Sequence, residues 1–133
     1  AWLDAMVDRL SAGAVADLDL VNLREFLSDM ARRDRREVRS RLAVLLAHVL
    51  KWTYQPDRRS GGWRATIVEQ RQELALLTDR GVLRAHAEEA LRDAYRDAVE
   101  RAAAETGLPV GTFPAECAYT LDALLEYTPS DHG

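Results

Sequence analysis

Residues 42–64, LAVLLAHVLKWTYQPDRRSGGWR, are the stretch whose reading decides the fold. Leu42, Leu45, Leu46, Val49 and Leu50 recur at three- and four-residue intervals, which places them on one face of a helix. Pro56 cannot continue that helix, and the residue before a proline is pushed out of the helical region. Ser60 then offers an N-cap, with Gly61 and Gly62 in the first turn of a new helix. The expectation is an antiparallel helical hairpin with a crowded corner. Trp52, Tyr54 and Trp63 bracket that corner, and Lys51, Arg58, Arg59 and Arg64 charge it.

Upstream, Trp2, Leu3, Met6, Val7 and Leu10 give a first helix its apolar face, and Gly13 ends it. Asp17 or Asp19 caps a second helix, with an expected buried stripe of Leu20, Leu23, Leu27 and Met30 and Phe26 beside it. The run ARRDRRE, residues 31–37, carries no large apolar side chain, and Asp34 with Glu37 fits a capping box. Both a break near Arg33 and an uninterrupted helix are open there. Downstream of the corner, Trp63, Ile67, Leu74 and Leu77 form the inner face of a helix over residues 61–80, with Arg71 intruding and Gly81 as its stop. The next helix, residues 82–105, buries Leu83, Ala87, Ala90, Leu91, Ala94, Tyr95 and Ala98, a small-residue face that lets a neighbour approach closely. Gly107 and Pro109 end it. GLPVGTFPAECAY reads as irregular, and Thr120 caps a short last helix running to Tyr127. The expected fold is all-α: a single-domain bundle over residues 1–133, of five main helices plus a short C-terminal one.

The chain is long enough to bury a core without a disulfide or a metal. Cys117 is the only cysteine, which fits a reducing cytoplasm. The longest apolar run, Leu42 to Leu50, is too short to span a bilayer and is interrupted by His48. No signal segment is present, although the chain opens at Ala1 rather than Met, so a missing native N-terminus is expected. The net charge of −4 conceals a segregation. Residues 32–64 hold ten basic and three acidic side chains, net +7, while the rest holds eight and nineteen, net −11. Such a distribution steers anionic partners or pairs copies of the protein with one another.

With these residues in hand, a resemblance can be stated. The run RLAVLLAHVLKWTYQPDRRSGGWRATIVEQRQEL, the preceding DLDLVNLREFL and the later AAAETGLPVGTFPAECAYTLDALL resemble a bacterial all-helical family known as domain-of-unknown-function family 29. Lys51-Trp52, Gln55-Pro56, Arg58, Trp63-Arg64 and Phe113-Pro114 carry the likeness, which covers nearly the whole chain. The sequence departs from it at Ala118, where the family has proline after the cysteine, and lacks the family's residues before Trp2. The resemblance implies a helical fold and a bacterial, cytoplasmic setting. It implies no activity, substrate or catalytic residue.

Chemistry-bearing patterns are sparse. His86, Glu89 and Asp93 share a helix face at metal-ligand spacing, but Glu88 with Arg92 and Asp97 with Arg101 have the acid-first i,i+4 spacing of a solvated, ion-paired face. His48 and Cys117 lack any residue to orient them as base and nucleophile, and no phosphate loop occurs. No metal, cofactor or catalytic set is expected. The corner is the best candidate: Arg58, Arg59, Ser60 and Arg64 as an anion site at a helix N-terminus, with His48, Lys51, Trp52, Tyr54 and Trp63 as the surrounding cluster. Against this stands a purely structural role, with arginines stacked on rings and capping carbonyls. The sequence favours a non-enzymatic interaction module that self-associates as a homodimer, with no membrane partner. The competing reading is an anion or nucleic-acid binder using residues 32–64. An enzyme ranks lowest.

Overall fold

Strong helix formers fill the chain, and its glycines and prolines fall between the periodic segments. The computed structural model describes residues 1–14, 18–79 and 81–131. Among them are five α-helices and no strand: α1 (Trp2–Ser11), α2 (Leu20–Tyr54), α3 (Gly61–Leu77), α4 (Gly81–Thr106) and α5 (Leu121–Leu125). Two 3-10 turns, Pro56–Arg58 and Val110–Thr112, sit between them. The all-α expectation holds. The helices foreseen on either side of Arg33 are a single helix of 35 residues, because nothing between Leu20 and Tyr54 is glycine or proline. Arginine, glutamate and alanine carry the helix through a stretch that has no apolar stripe. Asp19 caps α2, its carboxylate accepting from the Asn22 backbone and side-chain amides at 3.3 and 2.8 Å. The alternative cap, Asp17, lies outside the described residues, as does Arg80, the last position assigned to the helix before Gly81. Gly81 opens α4 instead of stopping α3, whose C-cap is Thr78.

Contacts divide the chain into two compact units, residues 1–34 and 35–133. In the first, Met6 is buried and the Trp2 and Phe26 rings meet edge-on at 5.8 Å. The Trp2 indole also donates to Asp19. Gly13 takes φ +71°, the left-handed conformation in which glycine ends a helix without strain. The stripe expected to be buried on the second helix is not. Leu20 is 60 % exposed, Leu27 55 % and Met30 42 %, while Leu23 and Phe26 are half-buried. Two helices share one seam, so apolar residues spread more widely than that seam are left in water.

The second unit is built around the C-terminal part of α2. Every residue from Leu42 to Trp52 except Val44 and His48 is buried, so the single face read from spacing is too narrow. A helix apolar on all sides belongs in a core with neighbours around it. Arg41 reaches Gln70 and Lys51 lies over Trp63, which fixes α3 as antiparallel to α2. Arg39 bonds Asp97 and Lys51 bonds Glu105, so α4 runs parallel to α2. Ile67 and Leu74 of α3 and Ala87, Ala90, Ala94, Ala98 and Ala102 of α4 face this core, joined by Phe113, Leu121 and Leu124. The alanine row lets backbones approach closely. Trp63, Leu77, Leu83 and Leu91 pack at its margin.

The ion pairs differ from those read by spacing. Glu88 pairs with Arg84 instead of Arg92, and Asp97 reaches across to Arg39 instead of pairing with Arg101. Along the Arg32–Arg41 run, Arg32 pairs with Asp29 and Arg41 with Glu37. Among the described residues no helix is long and apolar enough to cross a membrane.

Leu46 has no exposed surface at the centre of this core. Leu46→Ala should therefore cost about 2–5 kcal/mol, the lost transfer energy plus the cavity left behind. Chemical denaturation reads this directly, and a loss below about 1 kcal/mol would place the core elsewhere.

Candidate functional site

The corner forms as its residues dictate. Pro56 opens a 3-10 turn in which the Arg58 amide donates to the Gln55 carbonyl at 3.0 Å. Ser60 caps α3, its hydroxyl accepting from the Trp63 amide at 3.1 Å. One of the four orphan amides of the helix start is thus already satisfied.

Trp52 organises what lies beside it. Its ring is 2 % exposed, and its indole N–H donates to the Ser130 carbonyl at 2.9 Å. The guanidinium carbons of Arg59 and Arg64 stand over that ring, 5.0 and 4.9 Å from its centroid. Arg59 also donates to the Trp52 carbonyl (2.9 Å) and to the Asp131 carbonyl (3.1 Å). Arg64 donates to the Pro129 carbonyl (3.0 Å) and pairs with the Asp131 carboxylate (2.8 Å). Arg71 donates to the Tyr127 carbonyl at 2.8 Å. A strap, residues 127–131, is thereby drawn over Trp52 by three arginines and an indole. Bonds from charged donors to backbone carbonyls are worth more than neutral ones. The exposed Arg64–Asp131 ion pair adds little by itself.

The other corner residues separate from this group. Lys51, only 6 % exposed, reaches Glu105 and lies 5.0 Å from the Trp63 centroid. That hydrogen bond holds the Glu105 carboxyl below its usual range. The Tyr54 ring meets Phe113 edge-on at 5.4 Å. His48 is half-buried and its Nδ1 faces the Val44 carbonyl at 2.9 Å, so Nδ1 carries the proton. Burial first of all, with Lys51 adding to it, pulls its pKa below the ordinary value. Arg58 is exposed and makes no side-chain hydrogen bond among the described residues. Arg59, Ser60 and Arg64 therefore have partners in protein, and Arg58 faces water. The strap, Arg71 and Glu105 were not foreseen as part of the site. Arg71 had left one trace, an arginine on an otherwise apolar stripe.

A second concavity, an open groove of about 1220 Å³, runs between α4 and the irregular segment that follows it. Leu91, Tyr95, Val99, Phe113, Cys117 and Tyr119 are among its lining residues. Tyr95 donates to the Pro114 carbonyl at 2.6 Å, and burial pushes its phenol up to about 12. Burial likewise raises the Cys117 thiol, which contacts the Tyr119 carbonyl. A thiol held protonated is a poor nucleophile. His86 reaches the Arg35 carbonyl, and among the described residues no three His, Cys, Asp or Glu side chains stand together to hold a metal.

The family described as Domain of unknown function DUF29 matches residues 1–128, and the chain belongs to it. No curated protein and no solved structure matches the chain.

The depressed His48 pKa has a definite sign in stability. The unfolded ring protonates near its ordinary 6.5, before the folded one does, so stability present above that pH drains away as pH falls below it. Glu105 and Asp19, both depressed, lose their contributions in a lower window, below the ordinary carboxylate values. His48→Gln should therefore flatten the stability profile between about pH 7 and 5, read by urea denaturation. A variant curve parallel to wild type across that window would remove His48 as its cause.

Proposed function

We propose that this DUF29 chain is a non-enzymatic protein-interaction module that self-associates, with its N-terminal hairpin supplying the contact. One observation carries the reading. Of the ten large apolar side chains exposed among the described residues, seven lie within residues 1–34: Leu3, Val7, Leu10, Leu20, Val21, Leu27 and Met30. Scattered exposed leucines need no explanation, but a concentration of them in a quarter of the chain marks a contact surface. A second copy is the occupant whose chemistry fits. Two apolar hairpins supply four helices, enough to enclose a bundle core that one hairpin lacks, and a two-fold arrangement uses the same patch twice. Leu3, Val7 and Leu10 are spaced to share one face of α1, as Leu20 and Leu27 do on α2.

The anion or nucleic-acid reading rests on Arg33, Arg35, Arg36 and Arg58, which are exposed without a side-chain partner among the described residues. Arg39, Arg41, Arg59 and Arg64 are occupied by carboxylates, a side-chain amide and carbonyls, which leaves less positive charge for phosphate. Self-association through apolar side chains persists in salt, whereas phosphate binding weakens steeply with it.

Sedimentation at concentrations on the order of tens of micromolar should show a dimer at both low and high salt. Val7→Glu combined with Leu27→Glu should give a folded monomer, since both positions are exposed within one chain. A wild-type monomer under these conditions would overturn the reading.

A further inference from the structure

The strap over Trp52 is held in an uncommon way. Its Tyr127, Pro129, Ser130 and Asp131 carbonyls all accept from Arg71, Arg64, the Trp52 indole and Arg59 respectively. Three of its side chains are also held: the Tyr127 ring packs on the core and meets Tyr119 edge-on at 5.8 Å, Pro129 is buried, and the Asp131 carboxylate meets Arg64. Main-chain carbonyls are common to every peptide, so this set of donors reads the path of a backbone first, and the buried Pro129 and the acid of Asp131 add side-chain identity to it. The donors belong to the body of the fold: Trp52 lies in the last turn of α2, Arg64 and Arg71 project from α3, and Arg59 lies between the two helices. Bonds from fixed donors to a short non-helical segment are the arrangement by which proteins capture peptides.

We propose that Trp52, Arg59, Arg64 and Arg71 form a peptide-binding site for a short non-helical segment with a Pro-x-acid pattern, and that residues 127–131 are its intramolecular occupant. A peptide of the same chemistry takes the site when the strap lifts. The strap carries no element of regular α-helix and its Asp131 side chain is 74 % exposed, so it lifts while α2, α3 and α4 stay packed on one another, and the surface it uncovers is that of Trp52. A tethered segment competes with an effective concentration in the millimolar range, and a peptide in trans must exceed it. This inference stands apart from the hairpin contact of residues 1–34, and a monomeric chain would leave it intact.

The test uses the full chain, labelled with ¹⁵N, and follows the indole N–H resonance of Trp52. The probe is a synthetic peptide of residues 126–131, EYTPSD, blocked at both ends. In the Asp131→Ala chain, where the strap is loosened, the resonance should move saturably below about 10 mM peptide. Wild type should require several-fold more peptide, because its strap competes. Alanine in place of the peptide's aspartate should weaken binding several-fold, and that penalty should vanish when the chain carries Arg64→Gln. A resonance that stays fixed in the Asp131→Ala chain would overturn the proposal. So would one that moves equally with a scrambled peptide.

Discussion

The constraint on which the rest depends is the burial of α2 from Leu42 to Trp52 on nearly all sides. A helix with one apolar face needs one neighbour. This segment needs company around its whole circumference, and the chain supplies it from three directions. α3 returns antiparallel through Ile67 and Leu74, α4 comes alongside with its row of alanines, and the strap closes over Trp52. The alanines are small because the segment they face carries five buried leucine and valine side chains, and interiors pack to a fixed density. Polar groups obey the same logic. Lys51 is buried yet paired with Glu105, and among the described residues no buried side-chain nitrogen or oxygen lacks a partner.

The arginines divide the surface into two chemistries. Arg59 and Arg64 at the corner are turned inward on the fold, stacked over Trp52 and bonded to carbonyls at the C-terminal end of α2 and along the strap. They supply donors where a helix end and a non-helical segment both present unpaired acceptors. Those at positions 33, 35, 36 and 58 remain in solvent. The +7 charge of residues 32–64 is therefore smaller in effect than in sum, since most of it already has a partner in the same chain.

Much of this was legible in the sequence, because it depends on local chemistry. Pro56 had to end a helix and Ser60 had to start one; Gly107 marked the end of α4. The alanine face was visible from spacing alone. What escaped depends on partners distant in sequence. Leu20, Leu27 and Met30 have the spacing of a buried stripe, and spacing cannot say whether a surface to bury them exists. Val44 and His48 divided an apolar run into one apparent face, while the packing closes on both flanks. The strap was invisible for a simpler reason: its carbonyls are the acceptors, and a carbonyl is the same in every residue. Arg71 alone hinted at it. Arg33 posed an open alternative, settled by helix propensity in a stretch that offers no side chain to stop it.

The bond between Trp52 and Ser130 also sets an order in time. The two residues are 78 apart in the chain. At a synthesis rate of about 5–20 residues per second, Trp52 is made roughly 4–16 s before its acceptor. Helices α3 and α4 can assemble on α2 in that interval, but the end of the central helix stays uncovered until the strap, residues 127–131, is made. An aromatic ring and two arginines therefore stand open on the nascent chain, and completing the strap is what closes the surface. Translation itself becomes the clock for burial of Trp52.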